Sequence, residues 1–334
     1  MRISTISLSS RVETNILGLQ RELSKVQNQV SSGKISNVFS GLAGEDARVS
    51  IQLREAMASK ESFIETVEKM RLRSAVTDAS LLQLQESAEE MRVELIKQTD
   101  SLFVADLPVM NKFADNAIDR FASLLNTKVA GRFAFSGPAT STQPIIDATT
   151  IKTNFQGAVN TVVNAGGNTA AQIIANANTH FNTNTNWNNL NAVATDQESI
   201  VHADVGLNVS YGEMAHQEAF ADVFEIMNIF ANVSINTGDE AEYRTLVDSA
   251  RTTIEGAFNS INQMIADLGV SQARLNAIEQ THKDDLVMLG DQLGNVEDVD
   301  SFEAVNLFQN LRNQIEMSYQ VTAATRNLSL VNFI

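Results

Sequence analysis

RVETNILGLQRELSKVQNQV, residues 11–30, is the stretch whose reading decides the architecture. Its apolar residues Val12, Ile16, Leu19, Leu23, Val26 and Val30 stand at spacings of 4, 3, 4, 3 and 4, the a/d alternation of a heptad. Arg11, Glu13, Gln20, Arg21, Glu22 and Lys25 fill the positions between them. A two-in-seven stripe is narrower than the apolar face of an ordinary globular helix, so it calls for a partner helix along a seam. A second, less regular stripe lies at the other end of the chain: Leu307, Phe308, Leu311, Ile315, Tyr319, Thr322, Leu328 and Val331, again without Pro or Gly. Such stripes also suit the core of an ordinary bundle. Their placement at the extreme termini, beyond Gly-marked breaks, favours closure against each other or against other copies of the chain.

Composition narrows the function classes. The 334 residues leave room for two or three domains with buried cores. The absence of Cys excludes disulfide staples and zinc–thiolate sites. Forty acidic against 24 basic residues give a formal charge of -16, which opposes binding to nucleic acid or to an anionic membrane surface. The segment Met1–Ser7 lacks the apolar core of a secretory signal, and no run approaches the roughly 20 apolar residues of a membrane span. On these grounds alone the expectation is a cytosolic protein. Three Pro and few aromatics suit long helices better than a turn-rich all-β fold.

Along the chain, Ser31-Ser32-Gly33-Lys34 stops the first helix, and a loop runs to Gly44. From Glu45 to Asp106 there is neither Gly nor Pro, and Leu81, Leu84, Ala88, Met91 and Leu95 repeat at 3, 4, 3 and 4. One very long helix is expected there, about 80 Å at 1.5 Å per residue. Pro108 opens a shorter helix through Phe113, Ala117, Phe121, Leu124 and Lys128 that should end near Gly131. Helical periodicity returns at about Gly212 with Phe220, Phe224, Met227 and Phe230, and stops at Asn236-Thr237-Gly238. A last long stripe, Ala257, Ile261, Met264, Leu268, Ser271, Leu275, Ile278 and His282, keeps strict heptad spacing through Gly256 and Gly269. Asn295–Asp300 breaks it, and Asp300 with Glu303 offers a cap for the terminal helix.

The middle differs in kind. Between Arg132 and Asp196 the only charged residues are Asp147 and Lys152, while Asn and Thr crowd the segment. Pro144-Ile145-Ile146 and Thr161-Val162-Val163, bounded by turn formers, suggest a small β-containing domain; Ala170–Ala177 suits a short helix equally well. The expected fold class is therefore mainly α, a long antiparallel helical bundle or coiled coil with paired terminal helices and an inserted small β-containing domain.

Chemistry is sparse. His180, His202, His216 and His282 stand at no metal-ligand spacing, and His282 falls on a predicted seam. Asp298, Asp300 and Glu303 lack the twelve-residue pattern of a calcium loop and read better as a helix cap. Gly166-Gly167 carries no phosphate-loop context, and G-x-S-x-G is missing. No catalytic, cofactor-binding or metal-ligating residue is assigned, and no enzyme activity is expected.

Several segments together resemble the bacterial flagellins and flagellin-like axial proteins, and among them the hook–filament junction proteins. They are Met1-Arg2-Ile3-Ser4-Thr5, Ser31-Ser32-Gly33-Lys34, Gly131-Arg132-Phe133-Ala134-Phe135-Ser136-Gly137, Asn295–Ala304, Ser318–Ala323 and Leu328–Ile334. The loop after Lys34 departs from most relatives in carrying Glu45-Asp46 alone. This resemblance implies an extracellular structural subunit, exported through the flagellar type III apparatus without a cleaved signal, which reverses the cytosolic expectation. It implies as partners hook-associated protein one, flagellin, an export chaperone and further copies of the chain. The division it suggests is 1–34 an N-terminal assembly helix, 35–137 a long-helix rod, 138–205 a variable outer domain, 206–294 the return helices and 295–334 a C-terminal assembly helix. The proposed assembly residues are Val12, Ile16, Leu19, Leu23, Val26 and Val30 with Leu311, Ile315, Tyr319, Leu328 and Val331.

Overall fold

The computed structural model describes residues 2–100, 106–164, 166–188 and 199–327. In chain order they form α1 (Arg2–Ser32), α2 (Gly44–Asp100), α3 (Leu107–Leu125), a hairpin of β1 (Lys128–Val129) and β2 (Arg132–Phe133), and α4 (Ala148–Ala158). There follow β3 (Val162–Val163), α5 (Ala170–Asn182), a hairpin of β4 (Ile200–Asp204) and β5 (Leu207–Ser210), and α6 (Glu218–Asn232). The chain continues with β6 (Ser234–Ile235), α7 (Glu240–Glu297) and α8 (Ser301–Asn327). The fold is mainly α with small strand pairs. Two compact units make it up: Met1–Ser62 with His282–Ile334, and Phe63–Thr281.

In the central unit α2 and α7 run antiparallel. Arg71 Nη1 donates to Glu279 Oε2 at 2.7 Å, Gln85 Nε2 to Asn262 Oδ1 at 2.5 Å, and Tyr243 Oη to Gln98 Oε1 at 3.2 Å, so partners fall along α7 as they rise along α2. The stripes read from the sequence face inward: Leu81, Leu84, Ala88, Met91 and Leu95 on α2, and Ala257, Ile261 and Leu268 on α7, are buried in one core. That burial, at about 25 cal/mol per Å² of apolar surface, offsets the roughly 1 kcal/mol that Gly256 and Gly269 each cost the helix. The predicted run of α2 to Asp106 includes residues 101–105, which lie outside the described ones.

An aromatic cluster joins α3, α5 and α6. Phe224 of α6 is its hub, with ring centroids 5.1 Å from Phe121, 5.7 Å from Trp187 and 6.4 Å from Phe181. The helix expected to reach Gly131 ends at Leu125 instead. The Asn126 side chain takes over there, donating to the Ile145 carbonyl and accepting from the Ile145 N–H, both at 3.0 Å. The chain then turns on Ala130 and Gly131, at φ 49° and 79°, which places the second residue in the left-handed region that glycine occupies without strain. Arg73 of α2 donates to the Phe133 carbonyl, and its burial lowers the guanidinium pKa. The helix expected from Gly212 begins at Glu218, because the preceding loop is drawn back along the hairpin segment by Ala215 N–H to Phe135 O at 2.9 Å.

Among its described residues the Asn/Thr-rich segment holds more helix than strand. Its polar residues cap: Asp147 accepts from Thr150 N–H at 3.2 Å, and Thr169 with Gln172 closes a capping box at the start of α5. Of the apolar runs read as strands, Val162–Val163 pairs in parallel with Ser234–Ile235, and Ile145 makes a single bridge to Asn188. The β4–β5 hairpin packs through Val201, Ala203 and Val209 on Val67 and Leu275.

Two acids on α6 are held away from water. Burial, reinforced by the neighbouring Asp222, pushes the Glu225 carboxyl from 4.5 up to about 8, against a hydrogen bond from Asn178; burial and Glu218 push Asp222 up to about 6. With a raised native pKa, Glu225 keeps a proton that the unfolded chain releases, so its contribution is full below about pH 4.5 and is lost as the pH rises through about 8. The unfolding free energy should therefore fall between pH 5 and pH 8, by at most about 1.4 kcal/mol per pH unit from this group, and the thermal midpoint with it. In Glu225→Gln that fall should be smaller by several degrees; equal pH dependence in calorimetry of the two proteins would count against the assignment.

Candidate assembly interface

The terminal unit is organised by one carboxylate. Helix α1 stops at Gly33, whose φ of 71° is the left-handed cap conformation and whose N–H bonds the Gln29 carbonyl at 2.8 Å. The chain then lies alongside the α7–α8 turn: Lys34 bridges Asp298 in antiparallel fashion, Ile35 N–H reaches Glu297 O at 2.7 Å, and Val299 N–H reaches Gly33 O at 2.9 Å. Four donors converge on the Glu297 side chain. Oε1 accepts from Ser50 Oγ at 2.5 Å and Arg54 Nε at 3.0 Å; Oε2 accepts from Lys34 Nζ and Arg54 Nη2, each at 2.7 Å. The Arg54 guanidinium, with Lys34 and Ser50, holds the Glu297 carboxyl down at about 2 against its partial burial. Asp300 then starts α8 by accepting from the N–H groups of Phe302 at 2.9 Å and Glu303 at 3.2 Å.

From this latch α1 and α8 run antiparallel, since Gly33 meets Val299 and, further along, Gln20 Nε2 donates to Tyr319 Oη at 2.8 Å. On α1, Val26 is buried, Val12, Ile16, Leu19 and Leu23 are half-buried, and Val30 is exposed. On α8, Leu311 and Ile315 are buried and Tyr319 is half exposed beside the seam. The residues turned inward on α8 are Ala304, Phe308, Leu311, Ile315, Ser318 and Thr322, at spacings of 4, 3, 4, 3 and 4. Leu328 and Val331 lie outside the described residues.

Sequence reading passed over Ala304 and Ser318 because they are small or polar, and over Ser50, Arg54 and Glu297 because they are distant in sequence. The strict 4-3 spacing carried backward and forward from Leu311 and Ile315 was the signal for the first pair. For the Glu297 cluster only the i, i+4 placement of Ser50 and Arg54 on one helix face was visible.

Elsewhere the titratable groups are structural. His180 packs edge-on at 5.7 Å from Phe155 and 5.2 Å from Phe181, and His202 Nδ1 lies 2.6 Å from Asn208 Oδ1 across its hairpin. Buried His282 lies with Nδ1 3.3 Å from Lys60 Nζ, which also pairs with Asp285 at 3.1 Å. Among the described residues no group of three or more His, Asp or Glu is placed to hold a metal ion, and no helix is long and apolar enough to cross a membrane.

Glu297→Ala strands two cations and a buried hydroxyl, a loss of about 1–3 kcal/mol once the exposure of Lys34 and Arg54 is discounted. Amide hydrogen exchange in α1 and α8 should accelerate by about tenfold or more while the α6 amides stay unchanged. Because the native pKa is depressed, the latch contributes fully above about pH 4.5 and is lost as the pH falls through about 2. Exchange rates insensitive to the substitution would show that the node does not hold the helix pair.

The comparisons with known proteins bear on this geometry. No curated protein matches the chain. Residues 252–334, which take in most of α7 and all of α8, match the bacterial flagellin C-terminal helical region. The fold is similar to that of a solved chain from Vibrio parahaemolyticus provisionally identified as a flagellar hook-associated protein, with a TM-score of 0.53 and 13% identity, covering 76% of this chain and 98% of that one. At that identity the likeness is one of fold. The flagellin family is structural and not enzymatic, in keeping with helices whose polar groups cap, bridge and pack. The terminal helix pair latched at Glu297 thus includes the stretch, residues 252–334, in which this chain is similar to the flagellin C-terminal helical region.

Proposed function

We propose that the protein is an adaptor subunit of the bacterial flagellum, of the hook-associated protein three type, that joins hook to filament. The observation that carries this reading is the latched α1–α8 pair, which still exposes Leu17, Phe302, Met317 and Val321 on its outer faces. A single seam between two helices buries little surface, so such faces are suited to contacts with neighbouring subunits. In this reading residues 1–34 and 295–334 are the assembly helices and gain order on assembly. The long helices of 35–137 and 206–294 form the next layer, and 138–205 faces outward. Val12, Ile16, Leu19, Leu23, Val26 and Val30, with Leu311, Ile315, Tyr319, Leu328 and Val331, make up the assembly surface. Hook-associated protein one would lie below, flagellin above and further copies alongside. The subunit would leave the cell through the flagellar export apparatus with an export chaperone and without a cleaved signal, and would reside in the extracellular flagellum.

Flagellin itself is the second reading, favoured by the family match over residues 252–334. A gene-deletion strain separates the two. An adaptor predicts hooks without filaments and flagellin monomers shed into the medium; filaments that remain attached would refute it. Deleting residues 1–30 or 300–334 should leave a soluble, folded middle that no longer assembles, and circular dichroism should show helix gained when the intact monomer assembles. A truncated protein that still caps hooks would remove the terminal helices from the mechanism.

A further inference from the structure

The α1–α8 pair carries a socket on one outer flank and a plug on the other. On α1, Arg21, Lys25, Asn28 and Ser32 stand at spacings of 4, 3 and 4 on the face turned away from the α8 seam. They form one wall of a groove of about 470 Å³, and the loop through Lys34 to Val38 forms the other. Among the described residues Arg21 and Lys25 form no ion pair, whereas Lys34 is already balanced by Glu297 at 2.7 Å. In a chain of formal charge -16 this groove is a local exception.

On α8, Phe302 is 80% exposed and Val305 is exposed beside it one turn on, both on the side away from the Ala304–Leu311–Ile315 seam. Asp298, Asp300 and Glu303 flank this apolar pair; Asp300 is occupied as the helix cap, while Asp298 and Glu303 are exposed and without an ion pair among the described residues. Both features sit at the same end of the helix pair, because Val299, three residues before Phe302, bonds the Gly33 carbonyl between the two groove walls.

We propose that the groove between Arg21, Lys25 and Val38 receives Phe302 of a second copy of this chain, with Asp298 and Glu303 of that copy meeting Arg21 and Lys25. Plug and socket face opposite ways, so they are satisfied between molecules rather than within one. A heterologous contact of this kind repeats from copy to copy and closes into a ring or winds into a helix, as a layer of axial subunits requires. Burying one aromatic side chain removes about 150–250 Å² from water, and the paired charges fix orientation. The inference rests on the reading of the protein as a self-associating flagellar subunit.

The natural chain has no cysteine, so engineered thiols report without background. Full-length Lys25→Cys and Phe302→Cys proteins, mixed under assembling conditions and oxidised, should form the mixed disulfide at least tenfold faster than Lys25→Cys with Glu316→Cys, which lies well along α8. In sedimentation, Arg21→Glu with Lys25→Glu, or Asp298→Lys with Glu303→Lys, should each weaken self-association at least tenfold, and mixing the two variants should recover most of it. Circular dichroism of each variant controls for folding. Self-association that persists in both charge variants, with cross-linking no faster than the control, overturns the socket and leaves the flagellar reading standing. A wild-type chain that never self-associates overturns both.

Discussion

Everything in the terminal unit depends on how one carboxylate is satisfied. Glu297 is the last residue of α7, nearly buried, and would be costly there without partners. It receives four hydrogen bonds from three residues drawn from two other segments: Lys34 after α1, and Ser50 and Arg54 on α2. Those bonds do more than neutralise a charge. They fix where the chain after Gly33 meets the chain before Asp300, and so they set the register in which α1 and α8 face each other. A heptad seam alone tolerates sliding by one repeat, since each a/d layer resembles the next. The backbone bridge between Lys34 and Asp298 and the side-chain cluster behind it remove that freedom.

The central unit reaches its stability by a different route. Its core is continuous, apolar and aromatic, with Phe224 touching rings from three other segments, and its polar residues work at the margins as caps. This explains why a segment almost free of charge remains ordered where it is described. Asn and Thr close helices and bridge loops, as Asn126 does for Ile145 and Thr161 for the Asn232 carbonyl at 2.8 Å. The exceptions are Asp222 and Glu225 on α6, whose carboxyls burial pushes up to about 6 and about 8.

Division of labour between two such units suits a structural subunit. The central unit gathers its large apolar side chains into one continuous core, with Leu72, Val109, Val205 and Val270 left exposed. The terminal pair leaves Phe302, Met317 and Val321 on its outer faces, and a helix apolar on more than one side suits contact with more than one neighbour.

Sequence by itself determined the long helices and most of their inward faces, because heptad spacing is a local property that survives any arrangement of partners. Leu81 to Leu95, Ala257 to Leu268 and the cap at Asp300 were legible for that reason. So was the likeness of the C-terminal end to the flagellin helical region, carried by short motifs in a fixed order. What only the tertiary structure decided were the contacts between residues hundreds of positions apart: the convergence of Lys34, Ser50 and Arg54 on Glu297, the use of Ala304 and Ser318 in the seam, and the end of α3 at Asn126. No periodicity reports such contacts, since a hydrogen bond across 243 or 263 residues is fixed by where the helices place their ends. The Asn/Thr-rich segment shows the same limit from the other side. Of its short apolar runs, Val162–Val163 pairs as a strand while Ile145 makes only a single bridge, and the helix over Ala148–Ala158 was not legible, since its cap at Asp147 and its packing on α3, α5 and α6 are tertiary.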